Sequence, residues 1–368
     1  MRLADPIRTA LGARLRYVSG SEPGLTRRRS GGGFRYFDGS GRAVTSRSVV
    51  QRIEALAIPP AWERVWICAS PAGHLQATGY DARGRKQYRY HEEWTRTRNL
   101  SKFDAMPRFG HALPAIRRRV HRDQRLAGMP KEKVVACVVS LLDETLVRVG
   151  NTEYARDNDS YGLTTIRNHH AKVRGGEVRL TFKAKSGRSC DIRLNSARAA
   201  RIVRRCQQLP GQELFGYIDA DGTARDVSSQ DINDYLFAIT GERFTAKDFR
   251  TWGGTAIAAA TLSALGPPVA ESRSGAPRPL SERELKQREV AAVKAAAESL
   301  CNTPATCRKY YVHPGLIGAY ADGSLTEAFR AAAGSGGPRG LKMEERAVLQ
   351  LLKRLTRGGG KRQGAAAA

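Results

Sequence analysis

Near Pro107 the hydrophobic period of this chain changes from strand-like to mainly helical, which points to two unlike parts. Before it, apolar and aromatic residues come in short runs broken by glycine-rich turns. Gly31-Gly-Gly33 precedes Phe34-Arg-Tyr-Phe37 and the turn Asp38-Gly39-Ser-Gly41. Trp62, Val65, Trp66 and Ile67 make a second strand-like stretch, Tyr80-Asp-Ala-Arg-Gly84 a turn, and Gln87-Tyr-Arg-Tyr90 alternates again. Beyond Pro107 the apolar spacing is helical. Ala115 to Arg125 carries the basic run Arg117-Arg-Arg119. Pro130 then opens a helix with Val134, Val135, Val138, Leu141, Leu142 and Leu146 on one face, and Gly150 is placed to stop it.

A hairpin is predicted from Val178 to Ala184, through a tight turn at Lys185-Ser-Gly187, returning along Cys190 to Leu194. Helices are predicted at Ser196–Gln208 and Gln230–Ile239. Thr245-Ala-Lys-Asp248 and Ser281-Glu-Arg-Glu284 have the form of capping boxes that open two more, toward Leu265 and Leu300. Between these, Gly266 to Leu280 reads as a mobile linker. A short amphipathic helix, Met343 to Leu355, is expected before a glycine- and alanine-rich end. The expected fold is α+β, a small β-rich domain over 1–98 followed by a larger, mainly α-helical domain with a β-hairpin over 99–332. A basic, partly disordered tail covers 333–368.

Charge narrows the partners. Sixty-two Lys and Arg against 35 Asp and Glu give a formal charge of +27. A surface this positive attracts polyanions, and nucleic acid is the leading candidate because each phosphate contact releases counterions. The six cysteines show no C-x-x-C pair, so neither a zinc site nor a disulfide framework is indicated, and reduced thiols fit a cytosol. The N-terminus has no apolar signal segment, and no apolar run nears the ~18–20 residues that span a bilayer. The expected location is the cytoplasm, in association with the nucleoid.

No G-x-x-x-x-G-K-[ST] loop, no His pair with metal spacing and no obvious two-metal carboxylate set appears, so neither ATP nor a metal is expected as cofactor. Chemistry on DNA would then need a side-chain nucleophile and cationic side chains to stabilise the phosphoryl transition state. Arg308-Lys-Tyr-Tyr311 offers both, though tyrosines beside cations are common on any basic surface. A phenol with an ordinary pKa near ~10 is a poor nucleophile unless cations stabilise its anion.

Several separated segments, between roughly Ile58 and Tyr320, resemble the type IB DNA topoisomerases of the compact bacterial and poxvirus kind. Leu146-Val-Arg-Val-Gly150 resembles the segment that supplies the first catalytic arginine, here Arg148. Phe182-Lys-Ala-Lys-Ser-Gly187 is similar to the hairpin with the catalytic lysine, here Lys185, with Lys183 two positions away. Lys247-Asp-Phe-Arg-Thr251 resembles the family's K-D-x-R-T and places the second arginine at Arg250. Asn302 to Tyr311 resembles the terminal motif, whose register selects Tyr311 as nucleophile over Tyr310.

At position 302 many members carry histidine. Asparagine keeps an N–H donor for a non-bridging phosphate oxygen, and it could equally cap the helix after Pro304. Gln87-Tyr88-Arg89-Tyr90 is similar to a segment that touches DNA, with Tyr88 and Tyr90 on one face and Gln87 and Arg89 on the other. Tyr154 matches a further DNA-contact position. The resemblance implies a monomer acting on duplex, especially supercoiled, DNA. It implies strand cleavage through a 3′-phosphotyrosyl ester, rotation and religation without ATP. A tyrosine recombinase shares this logic but usually shows H-x-x-R at the second arginine, where Lys247 stands here. A non-catalytic architectural DNA-binding protein would share only the charge.

Overall fold

The computed structural model describes residues 6–150, 152, 155–156, 159–271, 276–334 and 339–363. The backbone divides into two units, Met1–Lys102 and Phe103–Ala368. The α+β class is as expected.

The first unit runs α1 (Pro6–Gly12), β1 (Leu25–Ser30), β2 (Gly33–Phe37), α2 (Arg47–Ala55), β3 (Glu63–Ile67), β4 (Leu75–Tyr80) and β5 (Lys86–Tyr90). The strands form one antiparallel sheet in the order β2-β1-β3-β4-β5. Gly31, at φ +58°, makes the tight connection that sets Ser30 opposite Gly33. Ile53 of α2 packs with Leu25, Ile58, Val65, Ile67 and Ala77. The short helices α1 and α2 are additions to the strands and turns that the sequence pattern predicts. Helix α3 (Glu92–Asp104) carries the chain onward.

The second unit contains α4 (Met106–Asp123), α5 (Lys131–Thr145), β6 (Ala171–Arg174), β7 (Glu177–Ala184), β8 (Arg188–Asn195), α6 (Ala197–Cys206), β9 (Gly216–Ile218) and β10 (Ala224–Asp226). It continues through α7 (Ser229–Thr240), α8 (Ala246–Ala264), β11 (Val269–Glu271), β12 (Pro277–Pro279), α9 (Glu282–Ser299), α10 (Pro304–Tyr310), α11 (Leu316–Ala321), α12 (Ser324–Gly334) and α13 (Met343–Gln363). Helix α5 lies at its centre: every residue from Lys133 to Val139, with Leu141 and Leu142, is buried. A helix apolar on nearly all sides has to be enclosed by others.

Three local expectations change. Helix α5 stops at Thr145, before Gly150, because Leu146 takes the left-handed conformation (φ +56°) and its N–H caps onto the Leu142 carbonyl. The stretch expected as a mobile linker pairs: β11 and β12 are antiparallel, Val269 opposite Pro279 and Glu271 opposite Pro277, with 272–275 outside the described residues. The helix in the tail is longer than expected, Met343–Gln363, and its Ala347, Val348, Leu349, Leu351 and Leu352 are buried in the main core. The hairpin and both capping boxes form as predicted, and β6 adds a third strand beside β7.

Candidate active site

Four of the expected catalytic residues, Arg148, Arg250, Asn302 and Tyr311, meet in the second unit, and each is brought there by a different backbone device. Arg148 follows the left-handed stop at Leu146 on an extended segment. That segment is pinned where Leu163 N–H donates to the Arg148 carbonyl (2.9 Å) and Thr164 N–H to the Val149 carbonyl (2.7 Å). Gly162 permits this approach, since a Cβ there would lie 2.5 Å from the Val149 carbonyl and 2.6 Å from that of Arg148.

Arg250 sits one turn into α8, whose start is fixed by the Thr245–Asp248 box. It is 2% exposed. Its guanidinium donates to the Leu146 carbonyl and, at 3.0 Å, to the Leu300 carbonyl. The left-handed stop of α5 and the end of α9 therefore both hold this arginine. Its guanidinium carbon lies 4.8 Å from the centroid of the Tyr311 ring.

Asn302 is buried and acts on both sides of itself. Its Oδ1 accepts from Arg148 Nη2 at 2.6 Å, and its main-chain carbonyl accepts from Arg188 Nη1 at 2.6 Å. It is not the cap of α10: Thr303 is, its hydroxyl accepting the Thr306 N–H at 3.1 Å. Asn302 Nδ2 and Arg250 Nε are buried donors without a hydrogen-bond partner among the described residues. Buried donors are nearly always paired, so these two are available to an acceptor oxygen, whether of water or of a ligand.

Tyr311 ends α10. Its carbonyl lies 3.1 Å from the Thr255 hydroxyl on α8, and Gly254 leaves the room, since a Cβ there would come 3.0 Å from that carbonyl. Burial pushes its phenol up. The charge and hydrogen bond of Arg250, with the charges of Arg148 and Lys247, outweigh this and hold it below the ordinary tyrosine value of 10.0. Neighbouring Tyr310 is turned toward Lys309, whose ammonium lies 5.4 Å from its ring centroid.

Lys185 lies exposed on the 3₁₀ turn Lys185–Gly187 that joins β7 to β8. Arg188, the first residue of β8, carries the hydrogen bond from this hairpin to the Asn302 segment. Lys183 is occupied elsewhere, 3.3 Å from Asp159. Arg188 was missed by sequence reasoning. Its only signal is its place just after the hairpin turn, which no pattern of residue type distinguishes from the other arginines of β7 and β8. The main-chain carbonyls of Leu146 and Leu300 leave no signal in side-chain identity at all.

In the first unit, β5 keeps the expected alternation. Tyr88 and Tyr90 are 48% and 46% exposed, and their rings stack with centroids 6.0 Å apart. On the other face Gln87 Nε2 donates to Asp81 (3.0 Å) and Arg89 Nη2 to the Ala57 carbonyl (2.7 Å). Tyr154 lies outside the described residues. Among the described residues no group of three or more His, Cys, Asp or Glu could hold a metal ion. None of the described helices is long and apolar enough to cross a membrane.

Known proteins match both units. Residues 90–324 match the family model of the eukaryotic DNA topoisomerase I catalytic core, and residues 33–81 that of the bacterial DNA topoisomerase IB N-terminal domain. These define the class, a DNA topoisomerase. The chain is 31% identical over 293 residues to DNA topoisomerase 1B of Acanthamoeba polyphaga mimivirus, covering 78% of this chain and 85% of that protein. It is 26% identical over 126 residues to DNA topoisomerase 1B of Vaccinia virus (strain Copenhagen), 34% of this chain and 39% of that one. The chain belongs to the type IB DNA topoisomerase family.

Proposed function

We propose that the protein relaxes supercoiled DNA by attack of the Tyr311 phenol on a backbone phosphorus. A 3′-phosphotyrosyl ester forms, the 5′ oxygen leaves, and the cut strand rotates before the 5′ hydroxyl reverses the attack. Because the ester keeps the energy of the broken bond, resealing needs no ATP. Arg148, Arg250 and Asn302 stabilise the charge that grows on the non-bridging oxygens. Lys185 protonates the departing 5′ oxygen as general acid, supplied by the hairpin once DNA is bound. Tyr88, Tyr90, Gln87 and Tyr154 contact the duplex, the tyrosines through phosphates and Gln87 at a base edge once it leaves Asp81. A single copy of the chain closes around the duplex with residues 1–98 as one jaw, in the cytoplasm where the nucleoid lies.

The observation that carries this reading is the pair of unpartnered buried donors, Arg250 Nε and Asn302 Nδ2, in the cluster where Arg250 lies against the Tyr311 ring. The test is to stop a reaction on supercoiled plasmid with detergent and map the residue left joined to DNA. Tyr311 is expected to carry the DNA. Tyr311→Phe is expected to lose relaxation and adduct while keeping duplex affinity. An adduct on Tyr310, or full relaxation by the variant, would move the nucleophile elsewhere.

A further inference from the structure

Helix α6 gives one side to the core and the other to a cluster of cations. Ala199, Ala200, Ile202, Val203 and Cys206 are buried, while Arg198, Arg201 and Arg205 recur at the i, i+3, i+7 spacing of a single face. That face meets the end of α4 and the start of α5 around a cavity of about 320 Å³. Buried Gln124, Lys133 and Ile202 line its inner part, and Arg125, Arg198, Arg201 and Arg205 its more exposed part. No carboxylate lines it. The ion pairs nearby belong to other cations, Arg119 and Arg122 to Asp123 and Lys131 to Asp231, and among the described residues none reaches the four cavity arginines. The walls are tied together all the same. Lys133 Nζ donates to the carbonyls of Leu126 (2.7 Å) and Gly128 (3.0 Å), and Arg205 Nη1 shares the second (3.4 Å). An ammonium has three donors, so a third remains beyond these two.

We propose that this cavity binds a compact anion of linked phosphates, free polyphosphate or the phosphate chain of a nucleotide, apart from the strand-cleaving cluster. Lys133 and Thr145 lie near opposite ends of α5, about 18 Å apart at 1.5 Å per residue, and Arg148 follows beyond Thr145. The anion bound here is therefore not the phosphate that Tyr311 attacks. Binding makes and breaks no covalent bond.

Chemistry, size and charge each support this assignment. Guanidinium groups match phosphate oxygens two bonds at a time, and four of them face one recess. The volume is near the lower end of small-molecule pockets, about 300–1,000 Å³, which suits a compact guest. The side of a duplex is an extended ridge, and even a small DNA-binding module buries about 600–1,000 Å² against it. Lys133 is 8% exposed, so only a group that enters the cavity reaches it. One phosphate monoester carries at most about two negative charges, so balancing five cations takes several linked phosphates. The surplus charge is felt by its neighbours. Arg198 first, then burial and Arg125, push the His121 imidazole below its ordinary value, and burial, then Arg205 and Arg201, push the Lys133 ammonium down.

The full-length protein is titrated with inorganic tripolyphosphate by calorimetry at physiological salt. One anion per chain is expected to bind. Arg198→Gln with Arg201→Gln is expected to weaken binding at least about 10-fold, through the lost charge-assisted hydrogen bonds. Arg330→Gln with Arg339→Gln removes the same charge from exposed positions elsewhere in the second unit and is expected to leave it nearly unchanged. Arg125→Gln lies on a different segment and is expected to weaken it as well, so a loss through damage to α6 is told apart. ATP is added in competition: displacement of tripolyphosphate assigns the nucleotide's phosphate chain, and no displacement assigns free polyphosphate. Duplex binding by the Arg198 and Arg201 variant is expected to keep the wild-type salt dependence. No saturable binding, several anions per chain, equal weakening by both arginine pairs, or full affinity in Arg125→Gln would overturn the site. A salt slope for duplex binding reduced by about two in the Arg198 and Arg201 variant would give these arginines to the DNA backbone and overturn the small anion as their ligand. None of these readouts depends on which tyrosine carries the DNA.

Discussion

Arg188 spends a guanidinium on a main-chain carbonyl, that of Asn302, at 2.6 Å, and so joins the hairpin that bears Lys185 to the segment that orients Arg148. A hydrogen bond from a charged group is worth about 1.5–3 kcal/mol, enough to decide where a turn rests. On the mechanism proposed above, Arg188 would position Lys185 by tying its hairpin to the Asn302 segment. Arg188→Met should keep duplex binding but slow single-turnover cleavage of an ordinary phosphodiester by about 10²-fold. The loss should be several times smaller on a 5′-bridging phosphorothiolate, whose thiolate leaves without a proton. Equal losses on the two substrates would mean that Arg188 serves Asn302 and not the lysine. Asn302 itself shows the limit of residue-type reasoning. Both a cap and a phosphate donor are sensible readings of asparagine before Thr-Pro, and only the fold shows that Thr303 takes the cap and Arg148 takes the amide oxygen.

Elements whose ends are written locally were legible in the sequence. The boxes at Thr245–Asp248 and Ser281–Glu284 start α8 and α9 because each cap satisfies N–H groups within its own first turn. The end of α5 was not legible, because the left-handed Leu146 gives its carbonyl to Arg250, a partner 104 positions away. The pairing of β11 with β12 was hidden for a similar reason: prolines at both ends of β12 argue against a strand until a partner strand is known. The connection from α10 to α11 makes a pH prediction. His313 donates its N–H to the Thr255 hydroxyl (3.1 Å), accepts the Gly315 N–H at Nδ1 (3.1 Å) and stands edge-on to Phe103. Burial pushes its pKa down to about 4, from 6.5. The unfolded chain therefore binds the extra proton first as pH falls from 6.5 toward 4, and stability is lost over that window. The loss should reach about 2 kcal/mol at pH 5 relative to pH 7. Unfolding of wild type and His313→Gln by urea at the two pH values checks this. The variant should lose less on acidification, and identical losses would remove His313 as the source.

At the scale of the molecule, net charge says what the surface meets, while a few buried charges say which segments belong together. The formal charge of +27 was the clearest pointer to DNA, yet it carries nothing about fold. The ion cluster around Arg117 does. Arg117 of α4 meets Asp143 of α5 (2.7 Å) and Glu345 of α13 (2.8 Å), and Trp252 Nε1 of α8 donates to Glu345 at 3.2 Å. Burial would push the Glu345 carboxyl up; the hydrogen bond and charge of Arg117, with the bonds from the Lys342 N–H and Trp252, hold it below its ordinary value of 4.5. Composition alone assigns residues after 333 to a basic tail, because lysine, arginine and glycine dominate its end. The buried carboxylate and the core side chains of α13 instead make 343–352 part of the second unit's interior. Removing one partner of a buried, hydrogen-bonded ion pair costs about 3–5 kcal/mol, with the lower end apt here because Asp143 remains for Arg117. Glu345→Ala should therefore destabilise the second unit by about 3 kcal/mol. Glu345→Gln, which can still accept from Trp252, should cost less. The measurement is the urea midpoint followed by hydrogen exchange, which resolves the two units. Midpoints for α4 and α8 that stay at the wild-type value in Glu345→Ala would make α13 an appendage and not a wall of the core.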